Sequence, residues 1–421
     1  MTRSDVAVGE WRSRLLVLIG RGATGIVSLG MVSHASRLAG IETGGYVATL
    51  LAIAAGVSEI ADVSSQRHVL RIHAPGHEPR QEERLRAFQT LRVGLFIVCM
   101  AVALGATGAV ASGHGTALTV TLILSATWFF LSNSLYARAL AQNQFGVLGL
   151  GPLAALSIAG ATLLALSKWG AIRPEWAVAI ALHAAKLGEC IFVSIHTGFQ
   201  GVGSSGAAVV REWRDTRFLF FQGILSAANG RLIIPLAAWA AGPPAAAILS
   251  IGLSLVSVVS LISAAMLIPS YRKWLTAGAC TSLDAAFRRA RRDWLTAFLV
   301  SGAAIGVLIL ASPWFLRRGL GMQSDDFAIG LACLTISGIF ETVNLFAGAC
   351  YQLCFRDRLL FHLSIVTVCL SWLAIGGGSH LGGIVGLCGA YLAARAVGAG
   401  ALCWPLVAAA ARRPVAVRSH E

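Results

Sequence analysis

The chain has 421 residues, 56% of them hydrophobic and only 12% charged, with a mean hydropathy of +0.74. Soluble globular domains carry about a quarter charged residues, so this composition excludes a soluble enzyme. The formal net charge of +14 would suggest nucleic acid in a soluble protein, but nearly all of it is arginine between apolar stretches. The asymmetric loop charge of membrane proteins explains that distribution, and no nucleic-acid partner is expected.

Apolar runs of about 20 residues cross a bilayer core as helices, and twelve are predicted here. The first six lie at 15–36, 45–66, 91–111, 117–137, 147–167 and 176–196; the second six at 218–240, 245–268, 294–312, 327–350, 359–377 and 382–404. The chain therefore reads as an all-α polytopic membrane protein. The first run is too long for the core of a signal peptide and further runs follow it, so it counts as the first span.

Loop charge sets the topology. With the N-terminus inside, the cytoplasmic side holds 24 basic residues, among them Arg84, Arg86, Arg92, Arg211, Arg214, Arg288 and Arg289. The other side holds five: Arg37, Lys168, Arg173, Arg317 and Arg318. This bias places both termini in the cytoplasm. Each half repeats one plan: two spans, a long basic loop, then four more spans. That layout predicts an N-terminal six-helix lobe at 1–200, a cytoplasmic linker at 201–216 and a C-terminal six-helix lobe at 217–421, with a substrate path between lobes. The arginine-rich stretch Asp284–Trp294 has helical character and is expected to lie along the inner leaflet, against anionic membrane lipids.

Motifs for soluble chemistry are weak. Gly201-Val-Gly-Ser-Ser-Gly206 matches G-x-G-x-x-G, but it follows a membrane span rather than a strand and reads as a flexible linker. There is no phosphate-loop motif, so no nucleotide cofactor is expected. His68, His73 and His77 share one loop, but no Cys or acidic residue stands beside them at a convincing metal-ligand spacing, and they read as solvated rather than metal-binding. The nine cysteines are scattered and read as small buried hydrophobes.

The informative residues are charges inside spans, each costing about 2.5–3.5 kcal/mol at a helix centre. The basic ones are Arg21, Lys186, Arg231 and Arg395; the acidic ones are Glu59, Asp62, Glu189 and Glu341. Lys186 and Glu189 are three apart and share a helix face, which makes a local ion pair as good a reading as ligand binding. Arg21 and Arg231 have no acidic neighbour within a turn, which favours a cavity holding an anionic group.

Several stretches carry a resemblance. The first span ends Ser36-Arg-Leu-Ala-Gly-Ile-Glu-Thr-Gly-Gly-Tyr46, and the second ends Glu59-Ile-Ala-Asp-Val-Ser-Ser-Gln-Arg-His-Val-Leu-Arg71. Later come Asn229-Gly-Arg-Leu-Ile-Ile-Pro-Leu and Ala245-Ala-Ala-Ile, closed by Pro269-Ser-Tyr. In layout and in these loose motifs the chain resembles the Wzx-type polysaccharide flippases, of the superfamily that also holds the MATE exporters. It departs from them at Val63-Ser64, where the family has glycine, and lacks an acid often found in span seven.

The resemblance implies a MATE/MOP-like fold and a multi-pass protein of the bacterial inner membrane, not an enzyme. It implies transport of an undecaprenyl-diphosphate-linked oligosaccharide for O-antigen or exopolysaccharide biosynthesis, alongside other polysaccharide-assembly proteins. Arg21, Lys186, Arg231 and Arg395 would then hold phosphate or sugar acids in a central cationic cavity, since the guanidinium fork donates two hydrogen bonds at once. Glu59, Asp62, Glu189 and Glu341 would balance charge or carry coupling protons. Two alternatives stand beside this: a MATE-like drug or cation exporter, which wants an acidic cavity, and a membrane-embedded glycosyl- or acyltransferase acting on lipid-linked sugars.

Overall fold

The computed structural model describes residues 3–63, 65–72, 81–106, 115–142, 144–169, 172–198, 201–276, 282–319 and 324–411. Every regular element among them is a helix. In chain order these are α1 (Arg3–Ala39), α2 (Ile41–Asp62), α3 (Ser65–Ile72), α4 (Gln81–Gly105), α5 (Thr116–Leu124), α6 (Ala126–Ala141), α7 (Phe145–Trp169) and α8 (Pro174–Thr197). The second half contributes α9 (Gly206–Gly230), α10 (Ile233–Ala241), α11 (Pro243–Thr276), α12 (Leu283–Gly319), α13 (Asp325–Leu353) and α14 (Asp357–Ala411).

Eleven helical stretches among the described residues are long and apolar enough to cross a membrane. The last, Asp357–Ala409, has 53 residues and would run about 80 Å if straight, far beyond the ~30 Å apolar core. It is instead a hairpin. Non-helical backbone at Gly382 and Gly383, the latter at φ 56°, folds it back on itself. Gly378 then lies against Gly386, and Thr367 against Gly398. Two passes result, so the twelve predicted segments all find a helix.

Two helical passes are broken rather than continuous. Ser125 separates α5 from α6. Arg231 and Leu232 separate α9 from α10, because Pro235 has no N–H to bond the Arg231 carbonyl four residues back. Ile234 N–H takes that carbonyl instead, at 3.1 Å, and Leu232 N–H reaches Ala227 O at 2.9 Å.

Three expectations change. Residues 206–216, expected in the linker, form the first turns of α9, with Ser205 capping them by accepting from Ala208 N–H. The arginine stretch at 284–294 is no separate surface helix; it runs on unbroken as the start of α12. His68 is not a solvated loop residue. It sits on α3, whose Ser65, His68, Val69 and Ile72 are buried at the i, i+3, i+4, i+7 spacing of a packed helix face. His73 and His77 lie outside the described residues.

Packing sorts the helices by half, with contacts across the divide from α1 and α2 to α11, and from α2 and α4 to α9. One apolar cluster joins Met31, Tyr46, Leu50, Leu122, Val178 and Leu182 within the first half. Another joins Val32, Ala48 and Ala52 to Ile233, Ile234 and Leu249 of the second. That second cluster closes the halves together at the end of the bundle away from Arg84, Arg211 and Arg288. There a Cβ on Gly45 would run into the carbonyl of Pro243, so the glycine is what lets α2 and α11 touch backbone to backbone.

Candidate functional site

A cavity of about 440 Å³ lies between the halves. Its walls run from Val17, Leu140 and Asp62, towards the arginine-rich end, to Val32 and Ala48, where the halves are packed shut. Of the predicted residues it gathers Glu59, Asp62, Lys186, Glu189 and Arg231. A second cavity, of about 320 Å³, lies between α2, α9, α13 and α14 and gathers Glu341 and Arg395. Glu59 and Asp62 line both. The backbone of Arg21 belongs to α1, but its side chain lies outside the described residues.

Most of these charges are paired. Lys186 Nζ donates to Glu189 Oε2 at 2.6 Å, and lies 5.0 Å from the Phe129 ring centroid. Glu189 also accepts from the Tyr136 hydroxyl. Arg395, only 5% exposed, pairs with Glu341 and lies over the Tyr391 ring. Asp62 accepts from Arg92 and from Ser65. Burying charges without partners would cost several kcal/mol per ion, so this pairing is what lets them sit inside helices.

Arg231 differs. It occupies the break between α9 and α10, half of its side chain is exposed, and its Nε is 3.6 Å from Glu59 Oε2, beyond hydrogen-bond range. Glu59 spends its other oxygen on the Ser226 hydroxyl at 2.5 Å. The guanidinium therefore faces the cavity with donors to spare.

Where a central cationic cavity is expected, the wall among the described residues carries charge of both signs. Three carboxylates (Glu59, Asp62 and Glu189) stand against Lys186 and Arg231 in its wall, with Arg92 behind Asp62. The predicted cations are also divided: Lys186 and Arg231 share the main cavity, while Arg395 belongs to the other.

Two participants, Arg92 and Tyr136, go beyond the site residues singled out by sequence, and a third, His68, has a role other than the one expected. Arg92, counted on the cytoplasmic side at the start of the third predicted span, is 1% exposed, with its guanidinium over Phe88 and Phe130. Its place at the mouth of an apolar run, four residues after Phe88, is a signal that could have found it. Tyr136, the second partner of Glu189, had none. His68 pairs with Glu212 of α9, which also accepts from Arg84 Nε at 3.1 Å, tying the halves together at the arginine-rich end.

No protein-family model and no curated protein sequence matches the chain. Solved structures do. The eukaryotic MATE transporter AtDTX14 superposes with a TM-score of 0.68 at 15% identity, over 95% of this chain and 96% of that one. The MATE multidrug transporter DinF-BH gives 0.67 at 12% identity, over 95% of each chain. A Pyrococcus furiosus MOP superfamily transporter, described as having a binding pocket of reverse polarity, gives 0.60 at 12% identity, again over 95% of each. The fold is the MATE fold. It fits the helical, multi-pass architecture, and at such identities it says nothing of what is carried.

Proposed function

We propose that the protein is an alternating-access exporter that moves an anionic, lipid-linked oligosaccharide across a bacterial inner membrane, as a Wzx-type flippase does. The observation that carries this is Arg231: a half-exposed guanidinium at a helix break, inside the cavity between the halves, with no carboxylate among the described residues in hydrogen-bond range. Arginine there suits a phosphate, whose oxygens match its fork of donors. The two halves act as the moving lobes. With the arginine-rich end in the cytoplasm, as loop charge predicts, the Gly45–Pro243 contact closes the cavity on the non-cytoplasmic side. Binding of the ligand to Arg231 would displace Glu59, and that exchange couples the two lobes because the pair joins α2 to the α9–α10 break.

The experiment is deletion of the gene and analysis of lipid-linked intermediates, followed by complementation. The expected result is a completed oligosaccharide accumulating on its lipid in the cytoplasmic leaflet. Wild type restores surface polysaccharide, Arg231→Ala restores less than about a tenth of it at equal protein level, and Arg231→Lys restores an intermediate amount. Normal polysaccharide in Arg231→Ala would sink the reading.

A second reading, MATE-like export of organic cations, is favoured by the carboxylates Glu59, Asp62 and Glu189 on the same wall. It predicts the opposite pattern: Glu59→Gln abolishes drug resistance conferred by overexpression, while Arg231→Ala raises it.

A further inference from the structure

We infer that the cavity between α2, α9, α13 and α14 is a subsite for a neutral, hydroxyl-rich ligand: the sugar units of the lipid-linked glycan. This rests on the flippase reading above and adds to it where the carbohydrate sits.

Two of the three carboxylates of this cavity are matched, Glu341 by Arg395 and Asp62 by Arg92, while Glu59 accepts from the Ser226 hydroxyl and lies 3.6 Å from Arg231. Among the described residues no group of three or more side chains is placed to hold a metal ion, and none of the residues lining the wall is aromatic, as an organic cation would want. The groups left over are neutral. Gln222 Oε1, Asn229 Oδ1 and Asn344 Oδ1 are buried acceptors with no partner among the described residues, and Arg395 Nε is a buried donor with none. Gln222 is oriented by its own amide, whose Nε2 donates to Ser364 Oγ at 3.0 Å, leaving the oxygen free.

Buried polar groups in native proteins are hydrogen-bonded to something. Three acceptors and a donor around one cavity call for a ligand that offers several donors and also accepts. A hydroxyl does both, with one hydrogen to give and two lone pairs to receive. A polyol offers a row of them without net charge. The volume of about 320 Å³ is that of about ten waters in the liquid, so the space exceeds what one bridging water would need.

Position supports the same ligand. Glu59 and Asp62 form the partition shared with the main cavity. A glycan whose phosphate engages Arg231 on one side of that partition can lay its first sugars on the other.

The test compares two probes on the full-length protein in nanodiscs: undecaprenyl diphosphate without sugar, and the lipid-linked oligosaccharide purified from cells lacking the gene. Asn344→Leu removes one acceptor without adding charge. The expected result is about tenfold weaker binding of the sugar-bearing lipid, the upper end for one lost hydrogen bond, with the sugar-free lipid bound as by wild type. Asn229→Leu should repeat the pattern independently, and retained binding of the sugar-free lipid shows that each variant is folded. Equal effects on both probes, or none on either, overturn the subsite. Saturable sodium binding in the absence of lipid that Asn344→Leu abolishes also overturns it, in favour of a cation site. If wild type binds neither lipid, the flippase reading falls first and this one with it.

Discussion

Arg395 shows how a charge inside a membrane helix is governed by its partner. It is almost wholly enclosed, and Glu341 is the carboxylate that neutralises it. Removing one member of such a pair strands the other in a low-dielectric site, at about 3–5 kcal/mol. Glu341→Ala should therefore lower the unfolding midpoint sharply in detergent, and adding Arg395→Leu should recover most of the loss. Equal midpoints for the single and double variants would refute the pairing. These charges were legible in the sequence as intramembrane residues, since an arginine amid leucine and alanine stands out. Their partners were not, apart from Lys186–Glu189, which share one helix face. Glu59 meets Arg231, and His68 meets Glu212, only because the fold brings distant helices together; no spacing rule reaches so far along the chain.

The break between α9 and α10 decides where Arg231 sits. A straight helix would carry the chain from Gly206 to Ala241 as one rod of about 54 Å. Pro235 interrupts it one turn after Arg231, and any proline in the middle of a span is visible in sequence as a place where the helix bends or stops. What the sequence did not disclose is the direction of the break, which depends on the packing of α10 against α11 and α14. Pro235→Ala restores the missing N–H. Spin labels at positions 218 and 239 should then move apart towards the ~32 Å of an unbroken helix, and under the flippase proposal surface polysaccharide should fall with Arg231 left in place. An unchanged label distance would show that packing alone holds the break. The same limit explains α12: its arginines fit a surface helix as well as an extension of a span, and only continuity of the backbone into Leu295 and Phe298 separates the two.

The bundle as a whole was the most legible level. Span count, helical class and the twelve-pass layout follow from hydropathy and loop charge, since the bilayer imposes helices of a set length. Closure is not legible in the sequence, because it depends on which helices of the two halves meet. The far end of the main cavity is sealed by apolar side chains from both halves and by the glycine contact at Gly45. Gly45→Val should wedge that contact apart, because the added atoms meet backbone rather than a flexible side chain. A cysteine placed at Ser254 in the cavity should then react with a membrane-impermeant maleimide added from the non-cytoplasmic side, whereas the same cysteine alone should be protected. Protection in both would mean the seal does not depend on α2 and α11.

The pairings across the divide also impose an order on synthesis. His68, Arg84 and Glu59 belong to helices that leave the ribosome early, yet each finds a counterpart on or just after α9. A nascent chain that has inserted only its first six spans holds Glu59 and His68 without those counterparts. Until α9 and the residues just after it are made, those buried or half-buried polar groups lack the partners that offset their burial. Production of residues 1–200 alone should give a short-lived fragment, and co-expression of the remainder should prolong its half-life in a pulse-chase measurement.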